Sequence, residues 1–141
     1  EAVAAAQSVR KTQLGMFVIR TLEFLRKGGR IGLVEGVVGS LLQIKPIIFV
    51  NDDGVYQTMA KARGYKSAVD TMIQEAKRFF GGAKIRLSVV NGKAQADAET
   101  LLERLKGELA VQDDAFIAKV SPVLAIHTGP GLLGIVANKA E

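Results

Sequence analysis

The sequence predicts an α+β fold, with a mixed β-sheet packed with helices. Three observations predict it. Ile85, Leu87 and Val89 alternate with Arg86 and Ser88, the period of a half-buried strand. Tyr65, Ala68, Val69, Met72, Ile73, Ala76 and Phe80 recur at helical spacing and end at Gly81-Gly82, a helix with its stop signal. Across 84–120, strand, helix and strand patterns follow one another, the form of a βαβ unit with its usual right-handed crossover.

The remaining elements fall around these. Residues 1–13 favour helix through their Ala content, but the apolar face is weak and needs packing to hold it. Met16-Phe17-Val18-Ile19-Arg20 reads as a short strand. Thr21 is placed to cap a helix through Leu22, Phe24 and Leu25, stopped by Gly28-Gly29. After Ile31, Val34 to Gln43 reads as a second helix, ended by Pro46 and its restriction of Lys45. Ile47-Ile48-Phe49-Val50 and Val55 to Ala62 form a hairpin across Asn51-Asp52-Asp53-Gly54.

Asn91-Gly92 breaks the strand of Ile85. Asp97 then suits the N-cap of a helix buried through Ala98, Leu101, Leu102 and Leu105. Phe116, Ala118 and Val120 make a further strand. Ser121-Pro122 starts a short helix over Val123 to Thr128, closed by Gly129-Pro130-Gly131, with a hydroxyl cap and proline at the first helical position. Leu132 to Ala137 is the last strand. Tyr65, Val69, Met72, Ile73, Leu101, Leu102 and Leu105 are the expected core. No repeat, low-complexity tract or long linker divides the chain, so residues 1–141 read as a single domain.

Composition agrees. The 141 residues are 48% hydrophobic and 23% charged, which excludes disorder, and the 15 glycines follow no collagen period. A domain near this length typically buries roughly 68–70% of its unfolded surface. With no Cys, disulfides, thiolate metal sites and cysteine nucleophiles are excluded. That lack leans towards a reducing compartment, and a cytoplasmic location is expected. No segment supplies the ~18 uninterrupted apolar residues of a spanning helix. The start at Glu1 has no basic n-region, and the missing initiator Met fits a chain that is processed or cut from a longer one. A net charge of +5, from 19 Lys and Arg against 14 Asp and Glu, suits either an anionic partner or a plain solvated surface.

Two segments carry candidate chemistry. In Leu25-Arg26-Lys27-Gly28-Gly29-Arg30-Ile31-Gly32, two glycines at a helix end expose N–H groups beside cations, which suits an anion. It equally suits a helix C-cap with cations at the negative end of the dipole. It has neither Walker A nor dinucleotide-fingerprint spacing. Ala125-Ile126-His127-Thr128-Gly129-Pro130-Gly131 holds the only His, which is either a hydrogen-bonded structural residue or a ligand-binding one. Asp52-Asp53 and Asp113-Asp114 read as turns, so no metal site is expected. No local Ser/His/Asp set supports acyl transfer, and no catalytic residue is assigned.

Together the segments resemble one family. Leu22-Glu23-Phe24-Leu25-Arg26-Lys27-Gly28-Gly29-Arg30-Ile31 resembles the "yLkkGGRI" signature of the DegV family. Leu41-Leu42-Gln43-Ile44-Lys45-Pro46-Ile47-Ile48 is similar to its "LLnIKPil", with Gln43 in place of the common Asn. Gly54 and Lys61-Ala62-Arg63-Gly64 resemble "dG…kvRg", and His127-Thr128-Gly129-Pro130-Gly131 resembles "HtGPG". The resemblance implies a bacterial fatty-acid-binding protein that presents an acyl chain to a fatty-acid kinase, without catalysis or cofactor of its own. It implies two lobes with a long-chain fatty acid between them. This chain would be the C-terminal lobe alone, the N-terminal lobe being absent. By the same resemblance Arg30 and His127 lie at the ligand's carboxylate, with Gly28, Gly29 and Gly129 as supporting backbone. The implied partners are the fatty acid, the N-terminal lobe, the kinase and, transiently, a membrane surface.

Two other function classes compete. The basic charge suits a nucleic-acid-binding or regulatory module, but aromatics are only 6% and Trp is absent. No aromatic–basic interleaving or recognition helix stands out, so no specific nucleic acid is expected. A phosphate-processing enzyme built on Gly28-Gly29-Arg30 lacks a visible acid pair or base.

Overall fold

The computed structural model describes residues 1–34 and 43–140. Its elements are α1 (Ala2–Thr12), β1 (Gln13–Val18), α2 (Glu23–Lys27), β2 (Ile44–Val50), β3 (Tyr56–Arg63), α3 (Tyr65–Phe80), β4 (Ile85–Gly92), α4 (Gln95–Glu108), β5 (Phe116–Lys119), α5 (Pro122–Thr128) and β6 (Leu132–Lys139). The six strands form one sheet in the order β3-β2-β1-β6-β4-β5. All neighbours are antiparallel except β4 and β5, which run parallel. The α+β class and the mixed sheet are as the sequence predicts. The helix expected over Val34 to Gln43 falls largely outside the described residues, and Val34 and Gln43 themselves lie in turns.

Strand alternation divides the side chains between two faces. Leu14, Met16 and Val18 of β1, Ile85, Leu87 and Val89 of β4, and Leu133 and Ile135 of β6 face α3 and α4. There they meet Ala68, Met72, Ile73, Ala76 and Phe80 of α3 and Ala98, Leu101, Leu102 and Leu105 of α4. Five of the seven expected core residues are buried; Tyr65 and Val69 are half-buried at the margin of this core. The opposite face carries a smaller cluster of Ile19, Leu22, Leu25, Val34, Ile48 and Leu132, with Phe17, Tyr56, Val90 and Val120 against it. Here α2 and α5 lie beside each other.

Several local readings need correction. The first strand starts at Gln13 and ends at Val18, so it leaves out Ile19 and Arg20. Pairing with β6 begins at Gln13↔Asn138, and partner strands decide where a ladder starts. Leu22, not Thr21, is the N-cap of α2, although the Thr21 hydroxyl still accepts from the Glu23 N–H at 3.2 Å. Asp97 is not the cap of α4. That helix starts three residues after a strand whose buried Asn91 organises the junction: its Oδ1 accepts from the Ala94 N–H at 3.2 Å. Its Nδ2 donates to Gln95 and to the Ala118 carbonyl. Asp97 instead sits in the first turn and pairs with Arg20 at 3.2 Å. The Arg20 guanidinium lies 3.4 Å over the Tyr65 ring. Burial, then the Asp97 carboxylate, pushes the Tyr65 phenol up to about 12, against the opposing pull of Arg20.

Candidate functional site

The Gly28-Gly29-Arg30 segment folds as a helix end. Gly29 takes the left-handed conformation, φ 68°, and its N–H donates to the Arg26 carbonyl at 3.1 Å. The Arg30 N–H reaches back to the Leu25 carbonyl at 2.8 Å, so the two bonds make a Schellman cap. The Gly28 N–H is also used, on the Phe24 carbonyl at 2.9 Å. Of the two readings of this segment, the C-cap is therefore the one present: the backbone donors of Gly28 and Gly29 are spent on α2. Gly129 behaves alike at the end of α5, donating to Ala125 at 2.9 Å with φ 73°.

The cap fixes where Arg30 stands. Its Nη1 donates to the Gly28 carbonyl at 2.8 Å. The same glycine receives α5, whose start is set by Ser121 accepting from the Leu124 N–H, with Pro122 in the first turn. A Cβ on Gly28 would fall 2.3 Å from His127 Nδ1, and one on Gly129 would fall 2.4 Å from the Phe24 ring. The two short helices thus touch without side chains at Gly28 and Gly129. Arg30 and His127, distant in sequence, converge on Gly28. His127 Nδ1 is buried with no hydrogen-bond partner among the described residues.

The phenol of Tyr56 also feels the Arg30 charge. Burial raises that phenol above its ordinary range, and the Arg30 charge opposes the rise. Tyr56 meets Phe17 edge-on, centroids 5.4 Å apart, and both line an open groove of about 900 Å3. Val90, Val120, Leu124 and Leu132 continue its apolar wall, and Leu124 stands one turn before His127 on α5. The volume lies within the roughly 300–1,000 Å3 of small-molecule sites. Glycine makes the room. Gly15 lines the groove and has nothing within 4 Å of where a Cβ would stand. Gly134, opposite Phe17 in the register, lies so close to Val90 and Phe17 that a Cβ would not fit.

Chemically, the groove is a long apolar surface whose own lining cations are Arg10 and Lys11; Arg30 and His127 stand outside its lining, related to it through Tyr56 and Leu124. Among the described residues no cluster of His, Asp or Glu could hold a metal, and Asp52, Asp53, Asp113 and Asp114 are exposed turn residues. Sequence reasoning missed Gly15, Tyr56 and Arg20. Arg20 packs on the loop after His127, where a Cβ at Gly131 would meet its Cγ at 2.5 Å. Only Tyr56 gave any signal, as an aromatic at the head of a strand.

These features define a class: an α+β domain with a six-stranded sheet, an apolar groove, and a cation and an imidazole brought together at the contact of two short helices. The DegV family model, described as "Uncharacterised protein, DegV family", matches residues 1–140, and the chain belongs to the DegV family. It is 38% identical over 136 residues to a DegV domain-containing protein of Clostridium acetobutylicum, covering 96% of this chain and 48% of that protein. A DegV domain-containing protein of Deinococcus radiodurans is 35% identical, with 96% and 48% covered. The chain spans about half the length of the curated relatives it matches. Among solved structures, one describing fatty acid binding of a DegV family protein from Thermus thermophilus superposes with a TM-score of 0.90 at 27% identity, covering 98% of this chain and 49% of that one. A fatty acid binding DegV family protein from Streptococcus agalactiae gives 0.85 at 28%, covering 99% and 49%. No helix among the described residues is long and apolar enough to cross a membrane.

Proposed function

We propose that this chain is the C-terminal lobe of a two-lobed, cytoplasmic fatty-acid-binding protein. It presents the acyl carboxylate to a fatty-acid kinase and performs no chemistry itself. The observation that carries the reading is the convergence of Arg30 and His127 on Gly28 beside the apolar groove. The groove takes the hydrocarbon, and each buried methylene contributes ~0.8 kcal/mol. Arg30 supplies the permanent charge and a planar fork of donors for a carboxylate. His127 adds a hydrogen bond from an imidazole N–H. Gly28 and Gly129 support the pair by letting α2 and α5 touch, rather than by donating to the ligand. The match to fatty-acid-binding relatives over half their length supports a second lobe that completes the site.

The test is made in the two-lobed protein. Native mass spectrometry should find a co-purified fatty acid. Arg30→Ala and His127→Ala should each weaken fatty-acid binding by about tenfold or more, the worth of a charge-assisted hydrogen bond of ~1.5–3 kcal/mol, while thermal unfolding stays near wild type. Unchanged affinity in both variants would remove these residues from the site.

A further inference from the structure

We infer that Gly28 is a positioning residue that holds His127 in the neutral tautomer protonated on Nε2. The ring presses its Nδ1 edge onto Gly28, where a Cβ would lie 2.3 Å from Nδ1 and 3.1 Å from Cε1. Nδ1 is buried and has no hydrogen-bond partner among the described residues. A neutral imidazole carries one N–H. Placed on Nδ1, that N–H would be an orphaned buried donor, a rare and unfavourable state. It would also drive hydrogen against the Cα hydrogens of Gly28. A bare Nδ1 lone pair rests against those hydrogens as a weak acceptor. The carbonyls around Gly28 have other donors: its own accepts from Arg30 Nη1 at 2.8 Å, and that of Phe24, 3.1 Å from the same Cβ position, accepts from the Gly28 N–H at 2.9 Å. The proton therefore sits on Nε2, on the far side of the ring.

This arrangement sets specificity. Arg30 and His127 offer the ligand only donors, so the pair selects a headgroup that accepts only, such as a carboxylate, over an amide that must also donate. The tautomer stands on the packing alone; its use in recognition rests on the fatty-acid reading above.

The test begins with two-bond 1H–15N spectra of the uniformly 15N-labelled protein, with the His127→Gln spectrum identifying the ring, since His127 is the only histidine of this chain. A protonated Nε2 beside a bare Nδ1 is expected; a protonated Nδ1, or a rapidly averaging mixture, would overturn the inference. Gly28→Ala should abolish that pattern, and an unchanged pattern would remove Gly28 from the role. Should Gly28→Ala not fold, the wild-type spectrum and a second pair of variants decide. Gln places an amide N–H near the Nε2 position and Asn near Nδ1. His127→Gln should therefore retain more fatty-acid affinity than His127→Asn, which should fall about tenfold or more below wild type, to the level of His127→Ala. The reverse order overturns the inference. An Nε2–H spectrum with neither variant altering affinity supports the tautomer and removes His127 from the fatty-acid site, whereas an Nε2–H spectrum with no fatty-acid binding by the wild type supports the tautomer and refutes the fatty-acid reading.

Discussion

Filling the groove at Gly15 tests directly whether it holds an acyl chain. Gly15 lies in β1 opposite Val136, and nothing stands within 4 Å of a Cβ built there. Its φ is not among the positive ones, so a side chain enters without backbone strain. In Gly15→Phe the ring projects into the groove beside Phe17 and Val136. It displaces about four methylene groups of ligand, and at ~0.8 kcal/mol each the loss is ~3 kcal/mol, or roughly two hundredfold in affinity. Gly15→Ala removes room for about one methylene and should cost roughly fourfold. Aromatic residues suit strands, so the unliganded variant should melt no lower than wild type. The assay is calorimetric titration with a long-chain fatty acid in the two-lobed protein, alongside thermal unfolding without ligand. Wild-type affinity in Gly15→Phe, with its fold intact, would refute the reasoning and move the acyl chain elsewhere.

Other perturbations probe the scaffold. Leu102, 8% exposed beneath α4, should cost ~2–5 kcal/mol on truncation to Ala, whereas Val123→Ala, at a position 74% exposed, should stay within ~0.5 kcal/mol; urea unfolding measures both. Asn91→Ala removes the bonds to Ala94, Gln95 and Ala118 and should cost ~1–3 kcal/mol by the same measurement, since buried backbone groups lose their partner. The Tyr65 phenol is raised from 10.0 to about 12 in the fold, so between those values the unfolded chain releases a proton that the folded chain keeps. Stability should therefore fall as pH rises from about 10 to about 12, and Tyr65→Phe should remove that part of the fall in pH-dependent melts.

What the sequence determined by itself is local. The period of Tyr65 to Phe80 is carried by one helix face, and α3 has the expected bounds. Ser121-Pro122 and the hairpin turn write their geometry into adjacent residues, so α5 stands where it is read and β3 within one residue of it; β2 starts three residues before the reading, at Ile44, because pairing with β3 carries the ladder through Lys45 and Pro46. Asp97 misled because a residue with capping chemistry needs a position as well, and Asn91, from the preceding strand, bonds the Ala94 N–H at the start of α4. Tyr65 and Val69 share the helical period of the core, but the width of the sheet beneath α3 decides how far burial extends. The motifs singled out Arg30, His127 and their glycines; they did not say what Gly28 does. Its contact with His127 links residues from the two ends of the chain, and only the sheet order that puts β1 between β2 and β6 brings α2 beside α5. The groove is likewise a tertiary object: Gly15, Tyr56 and Leu124 come from three elements, and no period along the chain records the space left between them.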